Sequence, residues 1–264
     1  MHNKEEKMEA FGRLLDILDE LRVKCPWDRK QTNESLRPNT IEETYELCDA
    51  LMRDDKNEIC KELGDVLLHV IFYAKIGSEK GDYDIKDVCD KLCDKLIYRH
   101  PHVFGEEKSE TVGQVLDNWE QLKLKEKDGN KRVLSGVPAA LPSLIKAYRM
   151  QDKARHVGFD WEKKEQVWDK VKEEFSELQV EIANLDKDKA ESEFGDLLFS
   201  VINAARLYGI NPDNALERTN QKFLRRFNYL EEHTLKKGIQ LKEMSLEEMD
   251  VIWDEAKKLG LYAI

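Results

Sequence analysis

An internal repeat restricts the fold of this chain more than any other feature. Glu42-Glu43-Thr44-Tyr45-Glu46 returns as Glu173-Glu174-Phe175-Ser176-Glu177, and Glu62-Leu63-Gly64-Asp65 returns as Glu193-Phe194-Gly195-Asp196, both at an offset of 131 residues (42 to 173, 62 to 193). Lys95 and Arg99 recur as Lys222 and Arg226, Trp119 and Lys123 recur as Trp253 and Lys257, and Cys25-Pro26-Trp27 is echoed by Phe159-Asp160-Trp161. The order is kept and the spacing drifts only by small insertions, so the chain is a tandem duplication. The halves are expected at 1–126 and 143–264. Between them the breakers of Lys127-Asp128-Gly129-Asn130 and Ser135-Gly136-Val137-Pro138 mark a linker over 127–142. Its apolar residues predict that it packs against a domain.

The repeated segments read as helices. Leu63, Val66, Leu67, Val70, Ile71 and Ala74 follow the spacing of a helix with one apolar stripe, and Phe194, Leu197, Leu198, Val201, Ile202 and Ala205 repeat it. The expectation is that this stripe is buried. With only 13 Gly and 6 Pro in 264 residues, the fold class expected is all-α.

The same segments carry the chemistry. At about 100° per residue, Glu62 and Asp65 flank one edge of the stripe, and so do Glu193 and Asp196. Glu43 and Glu46, or Glu174 and Glu177, stand one turn apart on the preceding helix. Side by side, two such helices bring four carboxylates to a common edge of the core. Crowded carboxylates repel and raise one another's pKa unless a cation sits among them. An all-oxygen donor set without Cys or His points to Mg²⁺ or Mn²⁺. One E-x-x-E in so acidic a chain would be an ordinary solvated helix face; the doubled four-carboxylate set is not. Lys222 and Arg226, one turn apart, with Arg225 beside them and Asn220 upstream, suit the oxygens of a polyphosphate opposite such a metal. Trp253 and Lys257 would add a stacking face and a further phosphate contact, unless Trp253 is a core residue, a reading the sequence leaves equally open.

Composition removes other classes. The formal net charge of −11 disfavours binding a nucleic-acid polymer by bulk electrostatics. No apolar run approaches the ~18 residues of a membrane span, and no secretory leader is seen at the start. The 5 cysteines form no C-x-x-C pair; they read as buried or partly buried free thiols of a cytoplasmic protein. There is no G-x-x-x-x-G-K-[ST] loop, no EF-hand glycine in Asp82–Asp87, and no Glu-x-x-His pair for a di-iron bundle. His69, His100 and His102 read as structural.

E-E-x-x-E followed by E-x-G-D with downstream Lys and Arg resembles the MazG family of nucleoside triphosphate pyrophosphohydrolases. The doubling, Cys25-Pro26-Trp27-Asp28, Arg99-His100-Pro101-His102-Val103-Phe104 and Val157-Gly158-Phe159-Asp160-Trp161 extend the likeness over the whole chain and resemble its two-domain bacterial members. The resemblance implies two tandem helical domains of four-helix-bundle type completed by homodimerisation, and Mg²⁺-dependent cleavage of nucleoside triphosphates to monophosphate and pyrophosphate. It implies Glu174, Glu177, Glu193 and Asp196 as metal ligands and catalytic carboxylates, with Glu173 nearby. Asn220, Lys222, Arg225, Arg226, Trp253 and Lys257 are its implied substrate contacts. A metal-positioned water would attack the α-phosphorus. The first half keeps Glu43, Glu46, Glu62 and Asp65 but has Cys93 and Tyr98 where the second has Asn220 and Arg225. In the two-domain proteins that the chain resembles, activity is attributed mainly to the second domain, which implies a catalytic second half and a weaker or structural first half. Two rival readings stay open: a non-catalytic, metal-stabilised helical dimer, and a pyrophosphohydrolase restricted to one nucleotide.

Overall fold

The computed structural model describes residues 1–106, 111–125, 132–236 and 238–260. Part of the expected 127–142 linker therefore lies outside the described residues. Among them there is no strand, so the all-α expectation holds, and no helix is long and apolar enough to cross a membrane. The chain groups into two compact units, Met1–Lys108 and Ser109–Ile264.

The first unit contains α1 (Lys4–Lys24), α2 (Asn33–Arg53), α3 (Lys56–Lys80), α4 (Ile85–Arg99) and the single turn α5 (Pro101–Phe104). The second contains α6 (Val112–Lys125), α7 (Ser143–Arg155), α8 (Val167–Ala183), α9 (Lys187–Leu207), α10 (Pro212–Leu235) and α11 (Leu246–Lys258). Local chemistry sets the ends. Asn3 with Glu6, Asp84 with Asp87 and Ser245 with Glu248 form capping boxes, while Asp55, Asp186 and Asn211 cap α3, α9 and α10.

Two antiparallel hairpins, α2–α3 and α8–α9, dominate the packing. Each turns through one residue in the left-handed region, Asp54 at φ 51° and Leu185 at φ 58°. These turns set the register of the carboxylates. Glu46 and Glu62 each lie eight residues from Asp54, and Glu43 and Asp65 each lie eleven (46 to 54 to 62, 43 to 54 to 65). Around Leu185, Glu177 and Glu193, then Glu174 and Asp196, are spaced identically. In an antiparallel pair, residues equidistant from the turn stand level along the axis, so the four acids of each hairpin lie at matching heights.

The core of the first unit is Leu18 of α1, Leu36 of α2, and Ile71, Phe72 and Ile76 of α3, with Phe11, Leu14, Leu15, Leu68, Tyr73 and Ile85 packed around them. Here the expected burial of the α3 stripe is corrected. Leu63, Leu67 and Val70 are exposed, as are Phe194, Leu198 and Val201 on α9. One two-helix hairpin has two broad faces, and the rest of its unit covers only one of them. The neighbouring helices leave apolar groups uncovered as well: Ile41 and Tyr45 on α2, and Trp168, Phe175 and Ile182, seven residues apart, on α8. Such seams at 3.5-residue spacing are those of helix bundles. The cysteines are free, but Cys48, Cys60, Cys89 and Cys93 are exposed and only Cys25 is half-buried, because they occupy outward helix positions.

Candidate functional site

The α8–α9 hairpin gathers Glu174, Glu177 and Glu193 with one oxygen of each within 4.8 Å of the others; α2–α3 does the same with Glu43, Glu62 and Asp65. Asp196 is part of the same field. The Glu193 carboxyl is held above the ordinary range, first by burial and then by Glu177, Asp196 and Glu174. In the first unit Glu43 is raised by burial, then by Asp65, Glu46 and Glu62. Glu46 lines a shallow hollow with Glu62.

Each cluster holds one oxygen with nothing to bind. Glu193 Oε2 and Glu62 Oε2 are closed off from water and lack a hydrogen-bond partner. An orphaned carboxylate oxygen beside two further acids is costly, and a hard divalent cation with oxygen ligands satisfies all of them together. The residues therefore fit a metal ion.

The sequence reading missed the internal cations. Lys170 Nζ lies 2.8 Å from Glu173 Oε1 and 2.7 Å from Glu174 Oε1, and its pKa is raised, chiefly by its hydrogen bond to Glu173 and then by that to Glu174. Lys61 Nζ lies 2.7 Å from Glu62 Oε1 and is raised in the same way. The i, i+4 spacing of Lys170 and Glu174 was the available signal.

Beside Glu174 and Asp196 opens a cavity of about 550 Å³, walled by α7, α8, α9 and the loop Gly158–Trp161, with Leu134 of the expected linker also lining it. Arg206, almost fully buried, closes part of that wall: its Nη1 donates to Asp160 Oδ2 at 3.0 Å and its Nη2 to Asp160 Oδ1, while Nε donates to Asn203 Oδ1 at 3.0 Å. Truncating Asp160 to Ala would leave the guanidinium buried with its main partner gone. The expected loss is about 3–5 kcal/mol of unfolding free energy, read from denaturant titration. An unchanged midpoint would mean that water reaches Arg206.

The basic residues form a separate group. Asn220 Nδ2 donates to Glu217 Oε2 at 3.1 Å at an exposed position of α10. Trp253 is half-buried on α11, its ring 5.2 Å from that of Phe223, with Arg226 Cζ 5.9 Å from its centroid. Lys257 Nζ binds Asp254 Oδ1 at 2.7 Å. None of Asn220, Lys222, Arg225, Arg226, Trp253 or Lys257 lines the cavity beside the carboxylates. In the corresponding α6 pair, Lys123 Nζ stands 4.4 Å from the Trp119 ring centre. His69, expected to be structural, is buried with Nδ1 3.0 Å from Thr40 Oγ1.

Duplicated helical hairpins, each closing on an oxygen-only cluster able to hold a cation, define an all-α protein with two tandem acidic sites. The family model described as the MazG nucleotide pyrophosphohydrolase domain matches twice, over residues 31–104 and 162–230. The chain is 40% identical over 258 residues to the nucleoside triphosphate pyrophosphohydrolase of Escherichia coli strain K12, covering 95% of this chain and 98% of that protein. It is 43% identical over 252 residues to the nucleoside triphosphate pyrophosphohydrolase/pyrophosphatase MazG of Thermotoga maritima, covering 94% and 95%. The chain belongs to the MazG family.

Proposed function

We propose that the chain hydrolyses nucleoside triphosphates and deoxynucleoside triphosphates to the nucleoside monophosphate and pyrophosphate, with Mg²⁺ as cofactor and Mn²⁺ as a substitute. The observation that carries this reading is the Glu174–Glu177–Glu193 cluster opening onto a cavity that Glu174 and Asp196 also line. Glu174, Glu177, Glu193 and Asp196 would hold the metal. When bound, Mg²⁺ neutralises phosphate oxygens and lowers the pKa of the attacking water. Water oxygen bonds to the α-phosphorus, the bond to the bridging oxygen breaks, and pyrophosphate leaves with that oxygen. One carboxylate of the cluster accepts the water proton. Lys170, which also lines the cavity, would reach the phosphates when Glu174 serves as a metal ligand. Lys222 and Arg226 neutralise the triphosphate, with Asn220, Arg225, Trp253 and Lys257 as further contacts.

In this reading residues 143–264 form the catalytic domain, 127–142 the linker, and 1–126 a domain whose Glu43, Glu46, Glu62 and Asp65 make a weaker or structural metal site. The uncovered seams of both hairpins pair with those of a second copy, completing four-helix bundles in a homodimer. Five free cysteines and a nucleotide substrate suit the cytoplasm. Incubation with the common triphosphates and Mg²⁺, followed by chromatography, is expected to give monophosphate and pyrophosphate and to stop on chelation. Diphosphate with phosphate would mean the other anhydride bond is cut. No turnover would favour a non-catalytic metal-stabilised dimer or a single-nucleotide specialist.

A further inference from the structure

The cavity of the second unit has features that phosphate and metal chemistry leave unused. Gln151 of α7 is 7% exposed, and its Nε2 donates to the Phe199 carbonyl at 2.8 Å. That bond fixes the amide orientation, since a carbonyl can only accept, and it leaves Gln151 Oε1 buried with no donor. Asn203 is oriented in the opposite sense. Its Oδ1 takes two bonds from Arg206, from Nε at 3.0 Å and Nη2 at 2.9 Å, so its Nδ2 is the group left to donate. Asp160 holds Arg206 in turn. The wall thus offers one fixed donor and one acceptor without a partner. Around them stand aromatic rings with large open faces, Phe159 at 82% and Phe199 at 43% exposed. Gln151, Phe159 and Asp160 all precede the segment matched by the family model, which begins at residue 162.

The first unit supplies an internal comparison. At the offset of 131 residues, Val167 and Asn203 of the cavity wall correspond to Leu36 and Phe72, and Ser200 corresponds to His69 (36 to 167, 72 to 203, 69 to 200). Leu36 and Phe72 are buried together in the apolar core, and His69 is buried against Thr40. Where the second unit is hollow, the first is filled with side chains, although both keep the carboxylate cluster.

We propose that this cavity is a nucleobase pocket, that Asn203 and Gln151 determine its base specificity, and that Arg206 and Asp160 are positioning residues. The Asn203 Nδ2 donates to a ring or carbonyl acceptor of the base, and Gln151 Oε1, after a small rotation, accepts an adjacent N–H. Phe159 and Phe199 stack on its faces. At the equivalent position of the first unit, Leu36 and Phe72 occupy the core, so a base would not find the same pocket there. This inference rests on the nucleoside triphosphate reading above, so its test reads binding as well as turnover.

Calorimetry in Mg²⁺ with the α,β-methylene analogues of ATP, CTP, GTP and UTP, and with inorganic tripolyphosphate, separates base recognition from phosphate recognition. Steady-state kinetics with the natural nucleotides run beside it. For Asn203→Leu the expected result is about a 10- to 100-fold weaker Kd and higher KM for the preferred base, a compressed spread among bases, and an unchanged Kd for tripolyphosphate. Ser200→His with Asn203→Phe imports the residues of the first half. It is expected to abolish analogue binding while tripolyphosphate and Mn²⁺ still bind, which also shows that the variant is folded. An unchanged spread among bases in Asn203→Leu, an equal loss for tripolyphosphate, or full analogue affinity in the double variant would overturn the proposal. Base-dependent binding without turnover would support the pocket and defeat the hydrolase reading alone.

Discussion

Replacing Glu177 with Ala is expected to lower kcat for pyrophosphate release by on the order of 10³-fold, while Glu46→Ala, at the equivalent position of the other hairpin, leaves most of the activity in place. Glu177 is exposed, yet one of its oxygens lies within 4.8 Å of those of Glu174 and Glu193, so its loss removes a ligand without opening the core. The stability change makes the argument specific. Without metal, the like charges at Glu177, Asp196 and Glu174 hold the Glu193 carboxyl above its ordinary range. Removing one of them relieves repulsion, so the variant in chelator should melt no lower than wild type. What it should lose is the second domain's share of the rise in Tm on adding Mg²⁺, since a ligand stabilises only the fold that binds it. Activity lost in Glu46→Ala and kept in Glu177→Ala would move the catalytic site to the first half.

The second large effect concerns assembly. A chain of 30.9 kDa that covers only one face of each hairpin is expected to run at twice that mass in light scattering. Phe175→Glu with Leu198→Glu should convert it to the monomer. These side chains are 50% and 61% exposed in the single chain and lie on the uncovered seams of α8 and α9. Burying a large apolar side chain contributes roughly 1.5–3 kcal/mol. A charge there forfeits that gain and adds desolvation, twice over in a symmetric pair, so the dimer Kd rises by several orders of magnitude. A wild-type chain that stays monomeric at high concentration would refute the bundle pairing.

Much of this molecule was legible before any coordinates. The offset of 131 residues revealed the duplication, and the spacing of Glu174 with Glu177 and of Glu193 with Asp196 put two carboxylates on one face of each of two successive helices. Helix periodicity and capping are short-range properties, carried by residues three or four apart, and a single sequence displays them directly. The apolar stripe was legible as a stripe, but its environment was not. Leu63 and Phe194 have the character of core residues and lie exposed, because periodicity says which residues share a face and nothing about what covers it.

The cavity shows the same boundary from the other side. The Asp160–Arg206 pair joins residues 46 apart, and the Gln151–Phe199 bond joins residues 48 apart, with no periodic signal linking either pair. Aligned by sequence, Phe72 and Asn203 are one more unremarked substitution between halves. In three dimensions Phe72 fills a core and Asn203 borders a hollow. The sequence by itself determined the helices, their doubling and the acidic hairpins, since those depend on spacing along one chain. Tertiary structure alone decided which apolar faces stay open and where space remains, since packing depends on groups brought together from far along it.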